Sequence, residues 1–418
     1  MTPHDRVALT AVLASALAVR LALAFTIAPF QAPDEAAHLR YVEALARTGR
    51  LPVQPPTPTP QQWEQFYQPP LAYGVLAPIE RAARAAGLSE PDRLRVLRVV
   101  NALLGSAIAP VAYLAVGRLV PPGDWRPLLA ALVIALFPGF AANASVLNND
   151  TLANLLAAAF WLSLFAPHGS TTRAAVTSGL LLGAACLSKL SVLALAPLLV
   201  AVPLCRDPRR LGDALRRGAT AGSVAAAVMA PWMVRNHLVY GSPLAIGVGS
   251  IPFISLTGVL PEAMIAEAAR PRPERAFLQF WGHFGIYNNL SWTMIPAVLV
   301  PLAGLGLAGW IRRTAPDGSF TRAAAAALCA VALAAAGLAA FSLRYHAAWQ
   351  GRYLYTAAVP VATLLAGGWH RIVPARWRPA CAVLLAAGLL ALDTTLVLRL
   401  HAFFTAMAAG RWPFTAHL

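Results

Sequence analysis

The sequence predicts an all-α integral membrane protein of about eleven transmembrane helices, and three observations predict it. Hydrophobic residues make up 58% of the 418 positions and charged ones only 12%, with a mean hydropathy of +0.60. Soluble domains carry roughly 25% charged residues. The apolar residues gather into runs near 7–29, 96–119, 127–146, 151–167, 174–188, 190–204, 218–234, 292–311, 323–343, 353–369 and 380–398. Most come close to the roughly 20 residues that a spanning helix needs. Finally, the formal charge of +16 is almost wholly arginine, with Lys189 the only lysine, and these arginines sit in short loops between apolar runs. That is a topology pattern and not a phosphate-tracking groove, so nucleic-acid binding is excluded as a reading.

Taken in order, the first run is too long for a signal-peptide core and lacks a small-residue cleavage site, so it reads as a retained membrane helix. The loops "PPGDWR", "HGSTTR", "CRDPRRLGDALRR", "RRTAPDGSFTR" and "HRIVPARWR" each carry arginine and few acids. The positive-inside rule puts them, and the N-terminus, in the cytoplasm. The long loops 30–95 and 235–290 then lie outside, and eleven spans leave "RWPFTAHL" outside as well. The fifth and sixth runs are parted only by "SKLS". No separate soluble domain and no internal repeat is visible.

Within 30–95, "DEAAHLRYVEALARTG" reads as an amphipathic surface helix with Ala37, Tyr41, Leu45 and Thr48 on one face and Gly49 as its stop. "LPVQPPTPTPQQW" is an extended proline-rich linker. "PLAYGVLAPIERAARAAG" is a second surface helix, again ending in glycine. The four cysteines are scattered through apolar runs without ligand spacing, so neither a zinc site nor a disulfide framework is expected.

Polar residues at the outer helix mouths are the candidates for chemistry, because ionisable groups near membrane depth are costly unless used. They are Asp34, Glu35, His38, Asn148, Asn149, Asp150, Lys189, Arg235, Asn236, His237, His283, Arg344, His346, Gln350 and Arg352, with Tyr67 and Gln68 before the second surface helix. Asp34 has two readings. It caps the following helix, with Pro33 holding the chain extended, or it is a general base whose pKa apolar surroundings raise. Asp150, before "TLANLL", likewise either caps or contacts a ligand. Lys189, Arg235, Arg344 and Arg352 stand where the topology rule does not want cations, and suit a lipid-linked phosphate leaving group. The stretch "FLQFWGHFGIYNNLSW" is a belt anchor or a platform for a sugar or prenyl chain, with His283 and Asn288 as handles.

"PDEAAH" after the first helix, the surface helices around "YQPPLAY", and "LNNDTLANLL", "CLSKLSVLALAPL", "PWMVRNHLVYGSPL" and "WQGRYLYTAAVP" together resemble the C-type (GT-C) membrane glycosyltransferases. The likeness is to the protein O-mannosyltransferases, the aminoarabinose transferases of lipid A, and an uncharacterised glycosyltransferase family 39-like group of bacterial membrane proteins. The resemblance implies inverting sugar transfer on the outer face of the bacterial cytoplasmic membrane from a polyprenyl-phosphate-linked donor. Asp34 would be the base with Glu35 in support. Lys189, Arg235, Arg344 and Arg352 would hold the donor phosphate. His38, Tyr67, Gln68, Asn149, Asp150, His283, His346 and Gln350 would contact sugar or acceptor, be it protein, lipid or glycan. No metal is expected to be obligatory. If a divalent ion is used, Asp34 and Asp150 would be its first ligands. Many relatives continue into an external soluble domain, which this chain is expected to lack. The rival reading is a transporter or flippase for a lipid-linked glycan, which would favour repeats and a midplane site.

Overall fold

The computed structural model describes residues 3–55, 64–166, 171–246, 248, 272–282, 294–312, 318–345 and 349–410. Among them the regular structure is all helical. Helix α1 (Pro3–Thr26) is followed by α2 (Glu35–Thr48), α3 (Leu71–Ala85), α4 (Glu90–Ser106) and α5 (Ile108–Gly117). Then come α6 (Arg126–Leu136), α7 (Pro138–Asn143), α8 (Asp150–Leu164) and α9 (Thr171–Ser188). A 3₁₀ turn, Leu190–Leu195, leads into α10 (Leu198–Arg206) and α11 (Leu211–Tyr240). The rest is α12 (Pro273–Phe280), α13 (Met294–Ala308), α14 (Gly318–Tyr345), the 3₁₀ segment Gly351–Ala357, α15 (Ala358–Ile372) and α16 (Arg378–Ala408).

Each expected apolar run coincides with a helix or a broken pair. Five stretches are long and apolar enough to cross a membrane by themselves: Arg6–Thr26, Glu90–Gly117, Met294–Ile311, Gly318–Leu343 and Ala375–Ala408. The other runs are shorter, broken or more charged, and the figure of eleven rests on the sequence pattern alone. The breaks have local causes. Pro138 forces Phe137 out of the helical region (φ −78°, ψ 110°) and divides α6 from α7. Lys189 is extended (φ −153°, ψ 124°), which ends α9 and leaves its ammonium at the bundle end that carries α2 and α3. Where helices cross, small residues let backbones meet: a Cβ on Gly368 would collide with the carbonyl of Gly306, joining α15 to α13.

Helices α2 and α3 form where the sequence puts them, and Gly49 closes α2 with φ 65°, donating its N–H to the Leu45 carbonyl. They do not lie flat with one wet face. Glu35, Ala37, His38, Leu39, Tyr41, Val42, Glu43 and Ala46 are all buried, so α2 is clasped on several sides, while Thr48 of the expected apolar face is exposed. A separate small core explains this: Leu39, Tyr41, Val42, Tyr73, Leu76, Leu94, Leu97 and Leu147 pack α2 against α3, α4 and the turn before α8. Ion pairs frame it, with Glu43 and Glu80 shared between Arg84 and Arg93.

Candidate functional site

The turn between α1 and α2 places the acidic pair in two different environments. Asp34 sits at the N-cap of α2 in the left-handed region (φ 59°, ψ 7°), and its side chain makes no capping bond. That conformation costs an L-residue about 1–2 kcal/mol, least for Asn and Asp. The capping reading of Asp34 is therefore corrected. Its carboxylate is turned away from the helix, and Oδ2 accepts a hydrogen bond from Nη2 of Arg352 at 2.6 Å.

Glu35 points the other way and is sealed. Its oxygens accept from Nε and Nη2 of Arg98 at 2.8 and 2.6 Å, and from the backbone N–H groups of Leu147 (3.0 Å) and Phe30 (3.1 Å). Both side chains of this ion pair are fully buried. Arg98 also donates to the carbonyls of Ala24, Ile27 and Ala28, satisfying the open end of α1. Glu35 thus has no face left for a ligand. The expectation of direct chemical support gives way to a positioning role: it ties the start of α2 to α1, α4 and the loop before α8, and so fixes the turn that presents Asp34.

Around Asp34 the helix ends bring a second acid and a second cation. Asp150 opens α8, and its Oδ1 accepts from the Lys189 ammonium. It is not the cap. Asn148 takes that part, its Oδ1 accepting from the N–H and hydroxyl of Thr151, each at 3.0 Å. Asn149 donates to the Ser188 carbonyl at 3.1 Å and to the Gln68 side chain at 3.4 Å, joining α8 to the end of α9 and to the loop before α3. The result is an alternating row, Asp34, Arg352, Asp150, Lys189. Nε of Arg352 and Oδ2 of Asp150 face each other at 4.0 Å, beyond hydrogen-bond reach, and both are buried without a partner among the described residues. Tyr353 flanks the cations, with Lys189 over its ring at 4.4 Å and the Arg352 guanidinium at 5.7 Å.

Electrostatics follow from this geometry. Burial would raise the Asp34 pKa, but Arg352 foremost, then His38 and Lys189, hold it below its ordinary value. The sequence expectation of a raised pKa is thereby reversed: a buried cation outweighs desolvation. For Arg352, burial acts to weaken the cation, and Asp34 and Asp150 more than compensate, raising its pKa. His38 is pushed down to about 4, chiefly by burial, with Asp34 opposing; it is neutral at physiological pH. Its Nδ1 meets the Tyr73 hydroxyl at 2.8 Å, and Tyr73 stacks on Tyr41 with centroids 3.9 Å apart. Tyr67 is raised mainly by burial and lies within electrostatic reach of Tyr353 and Asp34.

The other expected site residues divide. Gln350 precedes the Arg352 segment and is half-buried. Arg235 does not join the row: it donates to the carbonyl of Pro52 at 2.6 Å and stacks near Tyr240, so it ties α11 to the chain after α2 and is removed from the phosphate set. His283, His346 and the side chain of Arg344 lie outside the described residues, as do Asn288 and the linker at 56–63. Asp34 and Asp150, the pair offered to a metal, are each held by a cation of the chain, and among the described residues no three His, Cys, Asp or Glu side chains group at ligating distance.

Sequence reading passed over Arg98 and Tyr353, and also Arg20 and Asp393, both fully buried within α1 and α16. Arg20 donates to the carbonyls of Ala135 and Ile134 and lies within electrostatic reach of Asp393. Single charges inside apolar runs were the available signal for three of the four.

An apolar pocket lined by Phe137, Phe280, Trp281, Leu302, Ala358, Trp369 and Leu385, among others, lies between α6, α12, α13, α15 and α16. Gly351 donates its N–H to Gln279 at 3.1 Å, and Tyr355 donates to the Phe280 carbonyl at 3.3 Å, so α12 docks directly on the segment carrying Arg352.

Two solved structures share this architecture. The arabinofuranosyltransferase AftD from Mycobacteria aligns with a TM-score of 0.54 at 21% identity, over 93% of this chain and 27% of that one. An Archaeoglobus fulgidus oligosaccharyltransferase, tethered to an acceptor peptide, aligns with a TM-score of 0.54 at 15% identity, over 98% of this chain and 56% of that one. ArnT from Cupriavidus metallidurans, bound to undecaprenyl phosphate, gives 0.44 at 20% identity, over 89% and 78%. This chain spans about a quarter of AftD and just over half of the oligosaccharyltransferase. No protein-family model and no curated protein matches the sequence. The fold is that of the GT-C membrane glycosyltransferases.

Proposed function

We propose that this chain is a membrane glycosyltransferase that moves a sugar from a polyprenyl-phosphate-linked donor to an acceptor at the outer face of the cytoplasmic membrane. The observation that carries the reading is the placement of Asp34. It occupies a strained N-cap position, performs no capping, and turns its carboxylate onto Arg352 beside Asp150 and Lys189. Strain kept at a polar cluster of this kind is a mark of a working site. The shared fold with two sugar-transferring enzymes supports the same reading.

In the proposed reaction an acceptor hydroxyl or amine attacks the anomeric carbon from the side opposite the phosphate. Its proton passes to an oxygen of Asp34 as the new bond forms. The bond from the anomeric carbon to the phosphate oxygen breaks, and that electron pair leaves with the prenyl phosphate. Arg352 and Lys189 stabilise the charge that gathers there. One displacement inverts the anomeric configuration. Glu35 and Arg98 hold the Asp34 turn, while Asp150, Tyr67 and Gln68 line the approach to it.

The test is transfer by the purified full chain in lipid nanodiscs, given a panel of prenyl-phosphate-linked sugars and a membrane extract as acceptor source. Release of prenyl phosphate that depends on Asp34 is expected. If no sugar of the panel is consumed, and none of these donors binds, the reading fails.

A further inference from the structure

We propose that Asp34 and the phosphate of the donor compete for Arg352, so that Asp34 is the group by which the site favours a singly charged phosphodiester over a doubly charged phosphomonoester. The inference rests on the reading of the site given above and goes beyond it in assigning the resting contact a purpose.

Three observations lead to it. Both cations of the row are already engaged, Arg352 by Asp34 and Lys189 by Asp150, so two positive and two negative charges cancel. Any phosphate that enters must take a cation from an acid. Secondly, the two pairs differ in how firmly the acid is set. The Asp150 side chain is 3% exposed and fixed at the start of α8, whereas that of Asp34 is 21% exposed and sits on a turn. Asp34 is therefore the partner that gives way. Thirdly, Nε of Arg352 is buried facing Oδ2 of Asp150 at 4.0 Å and has no hydrogen-bond partner among the described residues, so the guanidinium still holds an uncommitted donor. A phosphate that takes Nη2 from Asp34 can engage Nε as well, giving the bidentate fork that arginine makes with such oxygens.

Two consequences follow. Asp34 is released from its guanidinium only when a phosphate has arrived, so the base becomes available with the donor in place and not before. After exchange the cluster carries the ligand's own charge uncompensated: one negative charge for the diester, about two for a monoester above its second pKa of about 6. The freed Asp34 carboxylate repels the second more than the first. Since transfer turns a diester into a monoester, the same residue that is displaced by the donor helps to expel the spent lipid phosphate once it has passed the acceptor's proton to solvent.

The experiment measures binding and needs no turnover. Farnesyl phosphate and its methyl diester are titrated against the detergent-purified full chain at pH 8. Asp34→Asn should tighten both, the monoester by about tenfold or more and the diester by less, because a close competitor for the guanidinium has gone. Asparagine tolerates the left-handed backbone, so the variant keeps the turn. Asp34→Ser removes the same charge without an amide and serves as the second variant. In an Arg352→Gln background, where only direct repulsion by Asp34 is left, the Asp34→Asn change should tighten binding much less than it does with Arg352 present. Wild-type binding with no tightening in either Asp34 variant, or tightening just as large without Arg352, overturns the exchange while leaving the site a lipid-phosphate site. Failure of every variant and the wild type to bind either probe overturns that reading as well.

Discussion

Asp34 and Arg352 are 318 residues apart in the chain and meet through one hydrogen bond of 2.6 Å at the end of the bundle. Each is held there by something other than the bond itself. Arg352 follows Gly351, whose backbone is pressed against Ala276 and Phe280 so closely that a Cβ would collide with both. Asp34 precedes Glu35, which the Arg98 clamp pins in place. The contact thus registers the first loop against the last third of the chain, and a shift in either support would move the acid from the cation.

From this, Asp34→Asn should reduce transfer by about 10²-fold or more, the range for a lost general base. The melt of the purified protein should change little, because Asn retains the size and the tolerance for φ near 60°. Turnover at the wild-type rate with an unchanged melt would remove the base assignment.

Glu35→Gln should do the opposite, harming the fold more than the chemistry. Breaking a buried ion pair from one side costs about 3–5 kcal/mol, since the remaining charge is stranded. Sequence alone suggested a lesser effect than at Asp34. With Arg98 and four hydrogen bonds around that carboxylate, lower yield and a lowered melting temperature are expected. A partial recovery of the melt with Arg98→Met in the same chain would confirm that the stranded arginine contributes, the carbonyls of Ala24, Ile27 and Ala28 still lacking their donor. A Glu35→Gln protein that melts as the wild type does but turns over poorly would return Glu35 to the chemistry.

Arg352→Lys should bind the lipid donor better than Arg352→Ala and worse than wild type. Lysine preserves a point charge for Asp34 but cannot present the fork. Donor titrations of the three proteins check the order; equal affinities would make Arg352 a structural partner of Asp34 only.

Helices and their ends were largely legible because their signals are local. The Gly49 stop, the "SKLS" break and the two surface helices need only neighbouring residues to be read. The row of Asp34, Arg352, Asp150 and Lys189 could be nominated as four outward polar residues, yet not separated from Arg235, since all five look alike as single charges at helix mouths. What sorts them is tertiary: Arg235 has a backbone carbonyl within reach and Arg352 has a carboxylate. Glu35 and Asp34, adjacent in sequence, part company because a left-handed residue turns one toward the gap and the next into the core. Arg98 was hidden for a related reason. An arginine just inside an apolar run reads as a snorkelling residue until its partner 63 positions away is placed beside it.

His38 gives the fold a pH dependence. Its pKa falls from 6.5 to about 4 on folding, mainly through burial. Between those values the unfolded chain takes up a proton that the folded one refuses, so stability is full above about 6.5 and declines as pH falls toward 4. The loss amounts to about 3 kcal/mol at the lower limit. Melts from pH 7.5 down to 4.5 should show a steeper fall for wild type than for His38→Gln, which can still face the Tyr73 hydroxyl. Parallel curves would mean that other groups, and not His38, set the acid limit.

Orientation is the remaining premise of the external site, and the structure improves the choice of positions that test it. Ala214, which the loop pattern offers as a cytoplasmic reporter, is buried, so failure to label there would say nothing about sidedness. Arg209, exposed just before α11, and Arg47, exposed on α2 shortly before the chain that meets the far end of α11 at Arg235 and Tyr240, belong to opposite ends of that helix. With Cys186, Cys205, Cys329 and Cys381 replaced by serine or alanine, each site takes a single introduced cysteine. A membrane-impermeant maleimide should modify Arg47→Cys in intact cells and Arg209→Cys only after the membrane is opened. That pattern places the acid–arginine row at the outer surface, as the positive-inside distribution of arginines requires. The reverse pattern would turn the bundle over. The row would then meet the cytoplasm, where soluble nucleotide sugars compete as donors, and the case for a lipid-linked donor would lose its topological support.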